Sequence, residues 1–462
     1  MKNYFTAAAK AISRLVRLTG FEGLVLLGYK SRIPQRQLLM GYLAYTIMGT
    51  ALLLTPMAHN EPVPFVDNLF TAVSALSTTG LATVDVSSSY TFFGQLVILL
   101  LIQMRGVGYM TISSYIMLGL NMRLPMSGNR MMESAFPLPS GFNTADIVRS
   151  VVRFALLFEV LGVALLYPYF LANDIPQPLW SAVFHSVSAF CTAGLSIYSD
   201  NMMSFGGDIY VNLVIMILSC MGALGFIVMD DIYTKITRHT RHLSLTTRVI
   251  LGATSIITLF ASCHLYFFEP SICCLETKQR VLASLFQAVS AMTTAGFNTV
   301  DTCRFAPLAV MVLIVTMYIG ASPSGTGGGL KSTTIATVFA FTRSRLGMQR
   351  DVKLMNRILP DHRIDTSLTA FAGYTFLLIA GIYLTALFEP SGTDISHIAF
   401  EATSAIATTG LSVGVVGQLS PASKIVFVVL MFAGRLGMVT LGNALLVHKS
   451  RQHTATIGDI AV

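Results

Sequence analysis

Charged residues are scarce in this chain. Of its 462 residues, 11% are Asp, Glu, Lys or Arg, whereas 53% are hydrophobic and the mean hydropathy is +0.67. A soluble globular protein carries about 25% charged residues. This composition therefore excludes a chain whose whole surface faces water, and it predicts a multi-pass protein organised by a bilayer.

Motifs of enzymatic and metal chemistry are missing as well. The sequence contains no HExxH, no GxSxG and no paired carboxylates inside an apolar run, and its six cysteines show neither a CxxC pair nor metal-ligand spacing. We therefore expect neither an enzyme nor a covalent cofactor. A disulfide between Cys303 and either Cys273 or Cys274 is compatible with their expected place in outer loops.

Eight apolar runs are long enough to cross a bilayer, for which about 20 residues are needed. They cover residues 38–57, 96–120, 150–170, 209–229, 249–268, 307–341 (interrupted), 367–388 and 425–447. Between the two members of each successive pair lies a shorter, semi-polar segment that cannot span.

The placement of positive charge gives an orientation. Twenty-four of the 30 Lys and Arg residues fall on one side of the spans, in the segments 1–36, 121–153, 230–248, 331–363 and 449–451. Because cytoplasmic loops carry the excess of Lys and Arg, we expect both termini in the cytoplasm and the spans in the cytoplasmic membrane. This placement accounts for the net charge of +8 without a nucleic-acid partner.

The short segments are four copies of one pattern. They read LFTAVSALSTTG (69–80), VFHSVSAFCTAG (183–194), LFQAVSAMTTAG (285–296) and AFEATSAIATTG (399–410). Each copy has Phe, Ser-Ala, Thr and Gly at the same offsets, and the glycines are 114, 102 and 114 residues apart. The chain thus divides into an N-terminal basic segment 1–36, the repeats 37–120, 145–235, 246–345 and 366–448, and a C-terminal segment 449–462.

Each copy has the design of a helix that enters the membrane and returns. About ten helix-compatible residues end in Thr-Thr-Gly or Thr-Ala-Gly, and glycine adopts positive φ without a Cβ penalty. Four such turns around one axis would present a ring of carbonyl oxygens that replaces the hydration shell of a cation. The sequence therefore predicts an all-α integral membrane fold with four span–pore-loop–span repeats around a pseudo-fourfold central pore for cations. Asp85, Asp200 and Asp301, five or six residues after their glycines, either concentrate cations at the outer mouth or only solvate loops.

These residues in this layout resemble the Ktr/Trk/HKT superfamily of potassium transporters, over residues 37–448. The resemblance implies a selectivity filter made of Thr78, Thr79, Gly80, Thr192, Ala193, Gly194, Thr294, Ala295, Gly296, Thr408, Thr409 and Gly410. It implies that K⁺ binds at the backbone carbonyls of the four glycines. Each filter has a single glycine, so a mainly Na⁺-permeable or weakly selective relative stays open.

Within the superfamily, the chain is most similar to membrane subunits of bacterial Ktr systems. That similarity implies a homodimer in contact with membrane lipids and with a cytosolic ring of regulatory subunits. The nucleotide would bind to that ring and not to this chain. It also implies K⁺ uptake that is stimulated by Na⁺.

The sixth span is interrupted at residues 320–331, where five glycines and one proline exclude a continuous helix. Irregular backbone inside a membrane should line a cavity, and in the resembled family this loop is an intramembrane gate. The predicted gate residues are Gly320, Ser322, Gly325, Thr326, Gly327, Gly328, Gly329, Lys331 and Arg435. A phosphate-binding loop is excluded because Leu330 precedes Lys331. A static kink remains open; a secondary transporter is disfavoured, since such folds commonly use inverted repeats and paired broken helices.

Charged residues inside spans are functional candidates by default. The resemblance makes Arg435 the arginine that contacts the gate loop. Arg105 either lines the same cavity, reaches the interface or pairs with Glu159. Glu401, in the fourth short segment, is expected to accept hydrogen bonds from buried backbone behind the filter. The glycines of the second spans, among them Gly222 and Gly225, either allow close helix packing or make room for the loop.

Overall fold

The structure is a computed structural model that describes residues 34–106, 144–238, 243–390 and 393–446. Its helices are α1 (Pro34–Leu53), α2 (Phe65–Ser77), α3 (Val86–Ser89), α4 (Phe92–Gly106), α5 (Thr144–Ala172), α6 (Pro178–Phe190), α7 (Ile209–Arg238), α8 (Leu245–Phe268), α9 (Pro270–Cys273), α10 (Thr277–Thr293), α11 (Pro307–Ile319), α12 (Ser332–Leu346), α13 (Asp361–Phe388), α14 (Ile395–Ile406), α15 (Pro421–Leu436) and α16 (Met438–Leu446). Short 3₁₀ turns cover Pro56–Ala58, Met203–Phe205, Thr302–Arg304 and Val416–Gln418.

Several sequence predictions fall outside the described residues. They concern most of the N-terminal segment 1–36, the basic link with Arg123 and Arg130, Gly108, and the C-terminal segment 449–462. The side chain of Arg105 is also outside them.

The four repeated segments are the short helices α2, α6, α10 and α14 with the residues that follow them. In each copy the threonine of the pattern, one or two residues after the helix, adopts a left-handed conformation, with φ of 53°, 52°, 54° and 47° at Thr78, Thr192, Thr294 and Thr408. The next residue then donates its N–H back to the carbonyl of the repeated serine, at 2.8 to 2.9 Å in every copy. A left-handed residue with such a back-bond closes the C-terminus of a helix.

The serine and phenylalanine of the pattern have structural roles. The hydroxyl of Ser74 donates to the carbonyl of Leu81, just past the glycine, at 2.6 Å, and Ser188 and Ser290 make the same bond to Leu195 and Phe297. In the fourth copy, the N–H of Gly410 donates to the Ser404 hydroxyl. The phenylalanines are at most 2% exposed and anchor each short helix in the core, at Phe70, Phe184, Phe286 and Phe400.

The packing of the short helices is cyclic. α6 contacts α4, α10 contacts α7, and α14 contacts α11, so each short helix lies against the second long helix of the preceding unit. α2 in turn contacts α15, the second long helix of the last unit. The first and last units are therefore neighbours in space.

A buried ion pair joins the first and last units. The Nζ of Lys424, at the start of α15, lies 2.6 Å from Oδ1 of Asp67 in the first turn of α2, and the side chains are 12% and 9% exposed. Removal of one partner leaves a charge in a poorly solvated site. Breaking a buried pair in this way costs about 3–5 kcal/mol.

We expect Lys424→Met to lower the midpoint of thermal unfolding in detergent, because the carboxylate of Asp67 loses its counter-charge. Lys278→Met is the matched control, since Lys278 is exposed in the first turn of α10. The double variant Asp67→Asn with Lys424→Met should regain part of the lost stability. Equal midpoints for Lys424→Met and Lys278→Met would show that the ion pair does not stabilise the contact between the first and last units.

The last span is bent, contrary to the prediction of one continuous run over 425–447. α15 ends at Leu436 and α16 begins at Met438, with axes 99° apart. The residue between them, Gly437, has φ +80°, which turns the chain out of the helix. A further departure from an all-α fold is a small antiparallel hairpin of β1 (Lys353–Leu354) and β2 (Arg357–Ile358).

By length and apolar composition, four helices in the described ranges suffice to cross a membrane, and a fifth does if α15 and α16 form one bent span. The four cover Val151–Ala172, Ile209–Thr237, Leu245–Phe268 and Asp361–Phe388. Eight spans were predicted. The difference arises because α11 is cut short by the glycine-rich segment, α4 is described only to Gly106, and α1 begins with polar residues.

The cysteines are free, so the structure does not contain the disulfide that the sequence left open. Cys273 donates its thiol hydrogen to backbone carbonyls of α8. Partial burial of the Cys303 thiol, together with the neighbouring Asp301 carboxylate, raises its pKa to about 11. The reactive thiolate is thus scarce at neutral pH.

Candidate functional site

The four Thr-x-Gly turns lie against one another in chain order. An ideal Cβ atom built on each of the four glycines would collide with a backbone oxygen of the next turn. The distances are 2.4 Å from Gly80 to Ala193 O, 2.4 Å from Gly194 to Ala295 O, 2.2 Å from Gly296 to Thr409 O and 2.1 Å from Gly410 to Thr79 O. The fourth turn therefore meets the first, and a side chain at any of these positions would collide with backbone.

The glycines also need the left-handed region of backbone conformation. Their φ values are +92°, +63°, +80° and +91° in chain order. Residues with a Cβ rarely adopt such values. Two independent constraints, conformation and space, therefore require glycine at Gly80, Gly194, Gly296 and Gly410.

The glycine-rich segment 320–331 lies directly beside three of these turns. The hydroxyl of Thr192 donates to Oγ1 of Thr326 at 3.2 Å, and the N–H of Gly328 donates to Oγ1 of Thr294 at 2.7 Å. In the fourth unit, the N–H of Gly329 donates to the carbonyl of Ala407 at 2.9 Å. The segment thus connects the ends of α6, α10 and α14.

The kink in α7 supplies further partners for the segment. Gly225 has φ +77° and ψ +173° inside that helix, and its ideal Cβ would lie 2.3 Å from the carbonyl of Ser324. Two carbonyls just before the kink, those of Gly222 and Ala223, accept N–H bonds from Thr326 and Ser322 at 2.9 and 3.3 Å. Of the two roles left open for the glycines of this span, the structure supports room for the loop.

Two cationic side chains bind carbonyls of the segment. Nη1 of Arg435, on α15, donates to the carbonyl of Thr326 at 2.6 Å, and this arginine is 9% exposed. Nζ of Lys331 donates to the carbonyls of Gly327 and Gly328 at 2.6 and 3.3 Å. Positive charge therefore lies where the segment contacts the second, third and fourth turns.

The remaining predicted residues have local roles. Gly320 ends α11 with φ +67°. The hydroxyl of Ser322 pairs with that of Ser324, and Ala321 and Gly328 are joined by a backbone bond of 3.1 Å that folds the segment back on itself. In the first unit, the hydroxyl of Thr79 pairs with Ser77 at 2.5 Å.

Only Glu401 was singled out from the sequence among a set of four buried polar residues at equivalent positions. The position after the repeated phenylalanine is polar in all four copies and at most 1% exposed, as Thr71, His185, Gln287 and Glu401. Two of them bind the serine two residues past their own glycine: His185 Nε2 pairs with Ser196 at 2.9 Å, and Glu401 Oε1 accepts from Ser412 at 2.6 Å. The sequence does contain a signal for this set, because the same position is polar in all four otherwise apolar short helices.

Glu401 has the environment that was expected of it. Besides the Ser412 hydroxyl, its Oε1 accepts the backbone N–H of Val413 at 2.9 Å. The carboxylate of Glu159, in contrast, accepts from Nε2 of Gln103 at 2.9 and 3.0 Å and from the thiol of Cys191 at 3.7 Å. A pairing of Glu159 with Arg105 remains a prediction.

The three carboxylates that follow the first three turns are engaged in local contacts. Asp85 accepts the N–H of Ser87, Asp200 accepts the N–H of Ser204, and Asp301 lies 3.0 Å from Arg304. Asp85 nevertheless lines a cavity of about 270 Å³ that is open to the glycines of the first two units. Within the described ranges, no cluster of three or more His, Cys, Asp or Glu side chains could hold a metal ion.

The chain is similar to known transport proteins in sequence and in fold. A family model described as TrkH, a cation transport protein, matches residues 31–450. The chain is 32% identical to the Ktr system potassium uptake protein B of Vibrio alginolyticus over 415 residues, which cover 88% of this chain and 90% of that protein. It is 27% identical to the potassium/sodium uptake protein NtpJ of Enterococcus hirae, over 90% of this chain and 94% of that one. Its fold is similar to the crystal structure of the potassium transporter TrkH from Vibrio parahaemolyticus, with a TM-score of 0.71 and 20% identity, over 89% of this chain and 85% of the other.

Proposed function

The chain belongs to the TrkH family of cation transport proteins, and from this premise we propose that it carries K⁺ into bacterial cells through a ring of backbone carbonyls. It is a transport protein and not an enzyme, as its family and relatives are. The transported ion is inferred from relatives that are named potassium uptake proteins.

The observation that carries the proposal is the closed sequence of contacts among the four Thr-x-Gly turns. Each glycine leaves room for a carbonyl of the next turn, at 2.1 to 2.4 Å from its ideal Cβ, and the last turn meets the first. We assign the K⁺ ligands to the carbonyls of Gly80, Gly194, Gly296 and Gly410, around one pseudo-fourfold central pore. The C-terminal ends of α2, α6, α10 and α14 run into this ring, and the negative end of a helix favours cations.

We assign the gate to residues 320–331. The segment crosses beside three of the four turns and is held there by Arg435 through the carbonyl of Thr326. Lys331 and Arg435 place positive charge in the path of a cation, which opposes its passage. This arrangement corresponds to a closed gate, and release of the Arg435 contact would let the segment move.

The partners are also a proposal. Relatives named as parts of Ktr systems support a regulatory partner subunit for this chain. We propose a homodimer bound to a cytosolic ring that carries the nucleotide, with both termini of this chain in the cytoplasm. The exposed basic residues from the last turn of α12 to the first turn of α13 are suited to contact that ring and anionic lipid headgroups, at Arg345, Arg350, Lys353, Arg357 and Arg363.

A weakly selective K⁺/Na⁺ transporter is the second candidate. It is supported by the single glycine in each turn and by the name of the relative NtpJ, a potassium/sodium uptake protein. In that case Na⁺ would be a transported ion, whereas in the first it would only stimulate K⁺ uptake. The two candidate functions therefore differ in the expected ratio of K⁺ flux to Na⁺ flux.

The test is reconstitution of the purified chain in liposomes, with K⁺ and Na⁺ uptake measured under equal and opposite gradients. We expect K⁺ uptake to exceed Na⁺ uptake. Equal uptake would favour the second candidate. If neither ion moves, even in the variant Arg435→Ala whose gate contact is removed, the proposed transport function is wrong.

A further inference from the structure

The loop that follows the second turn contains an asparagine in contact with the ring. Asn201 has φ +60° and its Nδ2 donates to the carbonyl of Gly194 at 3.1 Å. The backbone carbonyl of Asn201 accepts a hydrogen bond from the hydroxyl of Ser196 at 3.1 Å. That hydroxyl in turn accepts a hydrogen bond from the N–H of Tyr198. The backbone of Asn201 is therefore held in place by its own loop.

The same side chain reaches the third unit. Oδ1 of Asn201 lies 3.4 Å from the N–H of Asn298, two residues past Gly296, and the N–H of Met202 donates to the carbonyl of Asn298 at 3.2 Å. The loops after the second and third turns are thus tied together at the residue that contacts Gly194. Movement of one loop would be transmitted to the other.

The four glycine carbonyls are not equivalent for this reason. In the part of the chain that the structure describes, the carbonyls of Gly80, Gly296 and Gly410 accept no hydrogen bond from a side chain, whereas that of Gly194 does. A donor on a carbonyl oxygen occupies one of its two lone pairs and fixes the direction of the C=O bond. Less of the negative potential of that oxygen is then available to an ion.

We propose that Asn201 is a specificity-determining residue, which weakens and orients the Gly194 carbonyl so that the ring discriminates against Na⁺. The proposal rests on the filter role assigned to the four glycines. Selectivity among cations depends on the number and field strength of the coordinating carbonyls. A smaller ion approaches an oxygen more closely and gains more from a strong dipole, so a weakened carbonyl costs Na⁺ more than K⁺.

Two variants separate the donor from the rest of the side chain. Asn201→Gly removes the amide and keeps the positive φ without strain. Asn201→Asp keeps the shape and the acceptor for Asn298 but cannot donate to Gly194. Ser199→Asp is the control, because it adds the same charge to an exposed position of the same cavity, two residues away.

The measurement is the ratio of Na⁺ to K⁺ permeability in liposomes, taken from reversal potentials or paired fluxes. Loss of one hydrogen bond should raise this ratio about two- to tenfold in both Asn201 variants, and Ser199→Asp should leave it at the wild-type value. An unchanged ratio in the Asn201 variants, or an equal rise in Ser199→Asp, would overturn the proposal.

The outcomes distinguish this inference from the proposed function. If neither the wild-type chain nor its Arg435→Ala variant conducts K⁺ or Na⁺, the transport function itself is refuted. A wild-type chain that prefers K⁺, with the same preference in both Asn201 variants, refutes only the role of Asn201. Loss of both fluxes in both variants, with the control active, would make Asn201 a structural residue and would also overturn its role in selectivity.

Discussion

Replacement of Gly296 by serine is expected to abolish the preference for K⁺ over Na⁺ and to lower K⁺ uptake at least tenfold. Gly296 has φ +80°, and its ideal Cβ would lie 2.2 Å from the carbonyl of Thr409 and 3.0 Å from the Cα of Gly410. Because both neighbours are backbone, neither can move aside as a flexible side chain would. The fourth turn must shift, and with it the geometry of the carbonyl ring.

The magnitude follows from the sensitivity of the ring to distance. A left-handed conformation costs a residue with a Cβ about 1 kcal/mol or more, and the displaced carbonyl loses its alignment with an ion. About 1.4 kcal/mol in the transport barrier is a tenfold change in rate. The two effects together therefore exceed a tenfold loss.

Gly252→Ser is the matched control for this variant. Gly252 lies in α8, and its ideal Cβ has no atom within 4 Å. The control should fold and transport as the wild-type chain does, in the same liposome assay of K⁺ and Na⁺ uptake. Retention of the wild-type preference for K⁺ in a well-folded Gly296→Ser variant would refute the assignment of the filter.

Replacement of Arg435 by alanine is expected to raise K⁺ flux about tenfold or more in the absence of any partner. The guanidinium donates to the carbonyl of Thr326 at 2.6 Å in a site where it is 9% exposed. A hydrogen bond to a charged group contributes about 1.5–3 kcal/mol. Loss of that contribution shifts the balance between the closed and open positions of residues 320–331 by at least a factor of ten.

Two further variants define the cause of the increase. Arg435→Lys keeps the positive charge but not the planar donor group, so its flux should lie between those of the wild type and Arg435→Ala. Arg304→Ala removes an arginine whose side chain is 78% exposed in the loop before α11, and it should leave the flux unchanged. An Arg435→Ala chain that is well folded and conducts no better than Arg304→Ala would exclude Arg435 as the residue that holds the gate shut.

Part of the site could be predicted from the sequence because its causes are local. The threonine and glycine of each repeat specify the end of a short helix, and the structure places a left-handed threonine and a positive-φ glycine at each of them. The composition of residues 320–331 likewise excluded a helix, and α11 and α12 end and begin at its borders. The 99° bend at Gly437 was not predicted, since one glycine in an apolar run is compatible with either a straight or a bent span.

The sequence by itself determined the repeated unit, the apolar character of the chain and the residues that cannot be helical, since these depend on neighbours within a few positions. Only the tertiary structure decided which groups meet: Gly296 with Thr409, Arg435 with Thr326, and Asn201 with both Gly194 and Asn298. Three of these four pairs are separated by about one hundred residues of chain. Their contacts arise because each short helix buries its phenylalanine against the preceding unit, and that cyclic packing is a property of all four units together.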